Sequence, residues 1–182
     1  NHYPFANSGT IMMVDGTQAT AGTGATTSNV YALVGAYGED TPSWNDGAAY
    51  IYDIANPTAA PTRIPNPTLA TRDNVSQQFG QKFAVEPNGT RFAVHASGAY
   101  VTPAAGEDNR DGAVFIYDYA NLSAEPVAIL PPAAAPGGSF AGGLIWTGNQ
   151  LIIANSNAHG GNAYGYQAHG VVMIYDTTDL SA

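Results

Sequence analysis

The sequence contains no cysteine, so no disulfide contributes to its stability, and thiol nucleophiles and cysteine-based zinc sites are excluded. Basic residues are almost as scarce. Five Lys and Arg stand against fourteen Asp and Glu, a formal net charge of −9. That balance lacks the electrostatic footprint of a nucleic-acid binder and disfavours an anionic membrane surface. No stretch approaches the ~18 apolar residues of a membrane span. Helical periodicity is nearly absent, and no candidate helix of normal length can be drawn. The chain begins Asn-His-Tyr, without Met or a basic-then-apolar signal segment. The expectation is that processing has removed the start or that these residues are a section of a longer polypeptide.

What is present suits a loop-rich β protein. Charged residues make up 10% of the chain, against about a quarter in ordinary globular domains. Gly, Asn, Thr, Ser and Gln supply the polarity instead, as on extracellular or particle-borne surfaces. Twelve Pro and 21 Gly punctuate short apolar runs at strand-like intervals. At 182 residues the chain can bury a substantial core. Its most informative feature is a strand motif in three copies: Gly47-Ala-Ala-Tyr-Ile-Tyr-Asp53, Gly112-Ala-Val-Phe-Ile-Tyr-Asp118 and Gly170-Val-Val-Met-Ile-Tyr-Asp176. The copies begin 65 and 58 residues apart, which predicts a serial stack of similar units.

Each unit repeats more than this strand. Upstream lies Phe5-Ala6, Phe79-Gly80 or Phe140-Ala141, then a short apolar run. A turn dipeptide follows, at Asp15-Gly16, Asn88-Gly89 and Gly148-Asn149. Such pairs tolerate positive φ and predict two-residue hairpins. A second apolar run comes next, at 30–34, 91–95 and 151–154, delayed in the first unit by an inserted loop at 19–28. After the Tyr-Asp strand, a fourth short strand is expected around Pro61–Ile64 and Pro126–Leu130. The third unit stops before one. Units of approximately 5–78, 79–139 and 140–182 result, within one domain or a section of one.

Along the Tyr-Asp strand, alternate side chains point to opposite faces. One face carries Ala49 and Ile51, Val114 and Ile116, or Val172 and Ile174. The other carries Tyr50 and Tyr52, Phe115 and Tyr117, or Met173 and Tyr175. Both faces are apolar or aromatic, so the strand is expected to be covered on both sides by neighbouring sheets.

With Phe79-Gly80, Val34-Gly35-Ala36, acidic Gly-rich loops and Gly-x-Val-x-Ile-Tyr-Asp strands, the chain resembles FG-GAP-like propeller repeats. The version ending in Asp179-Leu-Ser-Ala182 is similar to repeats in bacteriophage virion proteins, marine ones especially, and in secreted bacterial surface proteins. The resemblance spans Phe5 to Ala182. It implies an all-β fold of propeller-type blades, each of four antiparallel strands, with about three blades of a larger ring. Only the second unit has a literal Phe-Gly, and no unit carries the alternating-Asp calcium loop of eukaryotic adhesion receptors. WD40 and kelch propellers, with periods of about 40–50 residues, fit less well.

Candidate sites are few. Glu39, Asp40 and Asp46, echoed by Glu107, Asp108 and Asp111, are carboxylate clusters of the kind that bind calcium through oxygen. The same residues suit a solvated loop in which Asp and Asn stabilise turns, and the third unit has Asn155, Asn157, His159 and Asn162 instead. Asp53, Asp118 and Asp176 end the three strands and read as acceptors in Asx-type turns. His159 and His169 share a loop, while His95 falls on an inner strand; their spacing favours packing over metal ligation. No Gly-x-Ser-x-Gly elbow occurs. The aromatics Tyr37, Trp44, Tyr100, Tyr164 and Tyr166 lie on or near connecting loops, where they would touch a sugar or protein partner or cover sheet edges. Asn74, Asn88 and Asn121 open formal glycosylation acceptors.

These features are expected of a non-enzymatic structural or adhesive module of a virus particle, on a phage capsid, tail or fibre. Partners would be other structural subunits, further copies of the chain, or a host-surface glycan or protein, without nucleic acid or membrane insertion. Two alternatives are a secreted bacterial adhesin or lectin-like propeller at the cell surface, and an accessory domain of a polysaccharide-acting enzyme. No cofactor is implied beyond the candidate calcium.

Overall fold

A computed structural model of the chain describes residues 11–19, 26–40, 44–67, 76–87, 89–99, 112–132, 140–155 and 170–180. Among them are eleven strands and no helix. The first sheet comprises β1 (Ile11–Ala19), β2 (Thr26–Ala36), β3 (Ala48–Asp53) and β4 (Thr62–Pro65), paired in chain order. The second repeats that order with β5 (Phe79–Val85), β6 (Arg91–Ala96), β7 (Ala113–Asp118) and β8 (Val127–Ile129). The third holds β9 (Gly143–Thr147), β10 (Gln150–Asn155) and β11 (Val171–Asp176). Every pairing within the sheets is antiparallel. The protein is therefore all-β, with sheets of three or four strands. No closed barrel or ring forms among the described residues.

The three Tyr-Asp motifs form β3, β7 and β11, starting one residue after the motif glycine. Gly47 and Gly112 have φ of 86° and 79°, backbone that side chains rarely adopt, which explains why the strands begin after them. Gly148-Asn149 is the expected two-residue hairpin, since Thr147 faces Gln150 directly. The other two turns need correction. Asp15 and Gly16 lie inside β1, paired with Val30 and Asn29. The connection falls beyond Ala19, because the Thr- and Ser-bearing stretch at 26–28 continues the ladder rather than looping out. At Gly89 the connection runs from 86 to 90, with Gly89 N–H donating to Glu86 O at 2.8 Å and Glu86 N–H to Arg91 O at 3.0 Å.

Strand alternation divides the core into two seams. Phe79, Phe83, Phe92, Val94, Phe115 and Tyr117 of the second sheet pack against Leu33, Ala49, Ile51 and Ile64 of the first. On its other face, Ala84, Ala93, Val114, Ile116 and Ile129 meet Trp146, Leu151 and Ile153 of the third sheet, with Phe140 and Ala141 beside them. Phe79, Phe92, Phe115 and Phe140 are fully buried, each stabilising the stack by about 1.5–3 kcal/mol. The second sheet is covered on both faces, as its sequence requires. The third is not. Val172 and Ile174 are 65% and 60% exposed, because among the described residues no sheet lies beyond β11.

The first seam closes through glycine. A Cβ on Gly35 would lie 1.8 Å from Gly80 O, and one on Gly80 would lie 2.4 Å from Ala48 O. Gly80 also has a φ of 92°. Phe-Gly at the start of one unit and Val-Gly-Ala in the unit before are thus two halves of one backbone contact.

Candidate functional site

The acidic loop between β2 and β3 joins the strands at one end of the first sheet. Its carboxylates find protein partners. Glu39 Oε1 accepts from Arg63 Nε at 2.8 Å and from the terminal guanidinium nitrogen Nη2 at 2.6 Å. Its Oε2 accepts from the Tyr50 hydroxyl at 2.6 Å. Tyr50 and Arg63 are cross-strand neighbours on β3 and β4, so one register places both donors beneath Glu39. Burial and the Glu39 carboxylate push the Tyr50 hydroxyl above its ordinary pKa.

Asp40 takes a smaller role, accepting the Asn45 backbone N–H at 2.7 Å while remaining exposed. That bond holds Asn45 in a left-handed conformation, φ 49°. Asp46 is buried, and its Oδ1 accepts from Asn66 Nδ2 at 3.1 Å. Burial raises its carboxyl above the ordinary 3.8, opposed by the Asn66 hydrogen bond and the charge of Arg63. The backbone oxygens of Asn45 and Asp46 accept from Gln78 and Phe79 at 3.0 and 3.1 Å. The loop thereby buttresses the entry to the second sheet. Among the described residues, no three His, Asp or Glu side chains gather as metal ligands.

Of the surface aromatics, Trp44 is 60% exposed in the connection before β3 and Tyr37 is half-buried just after β2. Glu107, Asp108, Asp111, Tyr100, Tyr164 and Tyr166 lie outside the described residues, as do His159, His169, Asn157, Asn162 and the Asn74 and Asn88 acceptors. Asn155 is buried at the end of β10.

The strand-end aspartates act in turns. Asp53, Asp118 and Asp176 each accept, through Oδ1, the N–H two residues ahead, at 2.9, 2.7 and 2.9 Å. In the first two, Asn56 and Asn121 extend the turn by accepting from Thr58 and Ser123. Repetition of this geometry explains why Tyr-Asp is followed by a similar sequence each time.

Sequence reasoning missed the basic residues. Arg91 on β6 clamps Glu86 through two nitrogens, at 2.5 and 3.0 Å. A third nitrogen donates to Thr177 O at 2.9 Å, and the guanidinium lies 5.3 Å from the Trp146 ring centre. One side chain of the second sheet thus fastens the third. Lys82 does the same elsewhere, donating to Ala141 O at 3.2 Å and Gly142 O at 2.6 Å. Opposite Lys82 in the β5–β6 register lies His95, fully buried, with no partner of good geometry for either ring nitrogen. Burial lowers its pKa from 6.5 to about 3, nearby Lys82 adds to this, and the Phe140 backbone opposes it. The available signal was scarcity: a chain with five basic residues uses Arg63, Lys82 and Arg91 to fix loops and seams.

A cleft of about 150 Å³ opens between β7, its following turn and Leu180, with Arg91, Asp118 and Asn121 among its walls. It falls short of the roughly 300–1,000 Å³ of small-molecule pockets. No family model matches the chain, and no curated protein matches it.

Proposed function

We propose that this chain is a non-enzymatic structural or adhesive module of a virus particle, built from consecutive propeller-type blades and exposing its loops to neighbouring subunits or a host surface. The observation that supports the reading is the use made of its charged groups. Glu39, Glu86, Asp53, Asp118 and Asp176 hold loops, turns and sheet seams, so the repeated motifs serve the scaffold. Its resemblance to phage virion repeats supplies the setting. Antibody labelling of purified particles tests it: copies on capsid, tail or fibre are expected, and particles devoid of the protein overturn the proposal.

A second reading, a secreted adhesin or lectin-like propeller, is favoured by Trp44, an exposed aromatic in the connection before β3. A glycan array tests it. Binding that disappears in Trp44→Ala supports this reading, and an array without any signal removes it.

A further inference from the structure

The third sheet bares the face that the first two sheets cover. Ile145, Ile152 and Ile174 form one cross-strand row over β9, β10 and β11, and Val172 stands opposite Ala154 beside it. Ile145 is 61% exposed, matching Ile174 and Val172. Lone exposed apolar residues are ordinary, but an adjoining row with no charged member marks an interaction surface.

The two internal seams indicate what such a face accepts. In the repeat register, Val172 and Ile174 correspond to Ala49 and Ile51, and to Val114 and Ile116. Ala49 and Ile51 lie beneath the face that carries Phe115 and Tyr117. Val114 and Ile116 lie beneath the face that carries Met173 and Tyr175. Each small aliphatic face is thus covered by the aromatic or long apolar pair of the next sheet. At the opposite end of the stack, the first sheet presents Tyr50 and Tyr52 in that same position, both half-buried, with the Tyr50 hydroxyl turned to Glu39. The chain carries both halves of its own repeating contact, one at each end.

We propose that the bare β9–β11 face docks against the β2–β3 face of a second copy of this chain, head to tail, continuing the stacking already present within one copy. The contact is heterologous: it joins two different surfaces, so each added copy exposes a fresh end until a ring closes. The apolar row carries no charge, while the chain's net charge of −9 repels other copies. Association is therefore expected to strengthen with added salt, as screening removes the repulsion. This inference extends the propeller-blade reading but does not depend on a place in a virus particle, and a solution measurement tests it separately from particle labelling.

Sedimentation of the full chain over a range of concentrations is the test, with Ile174→Asp and Tyr52→Asp as variants. The wild type is expected to reach at least twice the mass of a single chain, and each variant alone to remain single. Mixed, the two variants are expected to form one-to-one pairs, because Tyr52→Asp keeps the apolar face and Ile174→Asp keeps the tyrosine face. Val172→Lys repeats the test at a second exposed position, and circular dichroism verifies that each variant is folded. A wild type that stays single at every concentration overturns the proposal. So does a folded Tyr52→Asp that still self-associates, since the third sheets would then meet face to face.

Discussion

Gly35→Ala places a methyl carbon 1.8 Å from Gly80 O and 2.9 Å from Gly80 C. Both atoms are backbone, so no side chain can swing away to relieve the contact. Reaching the 3.4 Å of ordinary contact requires β2 and β5 to part, which disrupts the bridge between Gly47 and Phe79 and loosens the cover over Phe79 and Phe83. Overpacking of a close-packed interior costs about 1–3 kcal/mol, and the loss of cover places this change at the upper end. Gly80→Ala meets Ala48 O at 2.4 Å and also forces a side chain onto a φ of 92°, adding roughly 1–2 kcal/mol of backbone strain. Gly148→Ala separates the two effects. Its φ is 52°, with nothing within 4 Å of the new carbon, so strain of about 1 kcal/mol is its whole cost.

The expected order of destabilisation is Gly80→Ala, then Gly35→Ala, then Gly148→Ala. Urea unfolding followed by circular dichroism reads it, as shifts in midpoint at constant slope. A loss near 3 kcal/mol is a large share of the ~5–15 kcal/mol that holds a typical domain folded. If Gly35→Ala is as stable as the wild type, or loses no more than Gly148→Ala, the seam is not the tight backbone contact described above.

Acid should weaken the second seam through His95. The unfolded chain takes up this proton near pH 6.5 and the folded chain only near pH 3, so the stability present above pH 6.5 is lost as pH falls through that window, at up to about 1.4 kcal/mol per pH unit. His95→Met should remove that component of the slope in urea midpoints measured from pH 7 to 4, and an unchanged slope would exclude His95 as its source. Arg91→Lys retains the charge but loses the two-nitrogen grip on Glu86 and the bond to Thr177 O; a loss of about 2 kcal/mol is expected in thermal melts. Arg91→Ala should cost about 3–5 kcal/mol by taking the guanidinium away from the buried Glu86 carboxylate, which keeps the Thr90 hydroxyl at 2.7 Å but no opposite charge at the clamp, and equal losses for the two variants would count against the fork geometry. Asp118→Ala should cost about 1 kcal/mol and Asp118→Asn less, because Asn retains the acceptor for Ala120 N–H; equal losses in urea unfolding would show that charge, rather than the turn, is at stake.

The parts of the fold legible in the sequence are those fixed by local patterning. β3, β7 and β11 could be placed within a residue because apolar alternation, a leading glycine and a closing Asp mark both ends. β1 and β2 were misplaced because their far arms are rich in Thr, Ser and Gln, which pair without an apolar pattern, and Asp15-Gly16 fits an extended ladder as well as a turn. The shift of register between Phe79 and Lys82 left no local trace either. The candidate site was legible as a cluster of carboxylates but not as a set of partnerships. Glu39 and Arg63 are 24 residues apart, and only the β3–β4 register brings Arg63 beside Tyr50. Asp46 is buried by residues from beyond the next strand, including Asn66 and Phe79, so its burial follows from stacking and not from its neighbours in sequence.

The stacking also explains why the Phe79-Gly80 of the second unit becomes Phe140-Ala141 in the third. Strand pairing aligns Gly35 with Ala49 in the first sheet and His95 with Val114 in the second. Gly35 and His95 therefore hold equivalent places facing the next unit. Where that place is glycine, the following unit can bring its backbone into contact, and it needs glycine itself, at Gly80, to adopt a φ of 92°. Where the place is histidine, an imidazole fills the gap and the following unit stands farther off. A Cβ on Gly112 would meet Phe140 Cβ at 3.5 Å, whereas one on Gly47 would meet Phe79 O at 2.3 Å. The wider second seam tolerates Ala141 at a φ of 56°, and Lys82 spans it to reach Ala141 O and Gly142 O. The residue after Phe79 and the residue after Phe140 are thus set by the unit before each. A motif that looks internal to each repeat belongs to the contact between repeats, and a departure in one unit has its explanation in its neighbour.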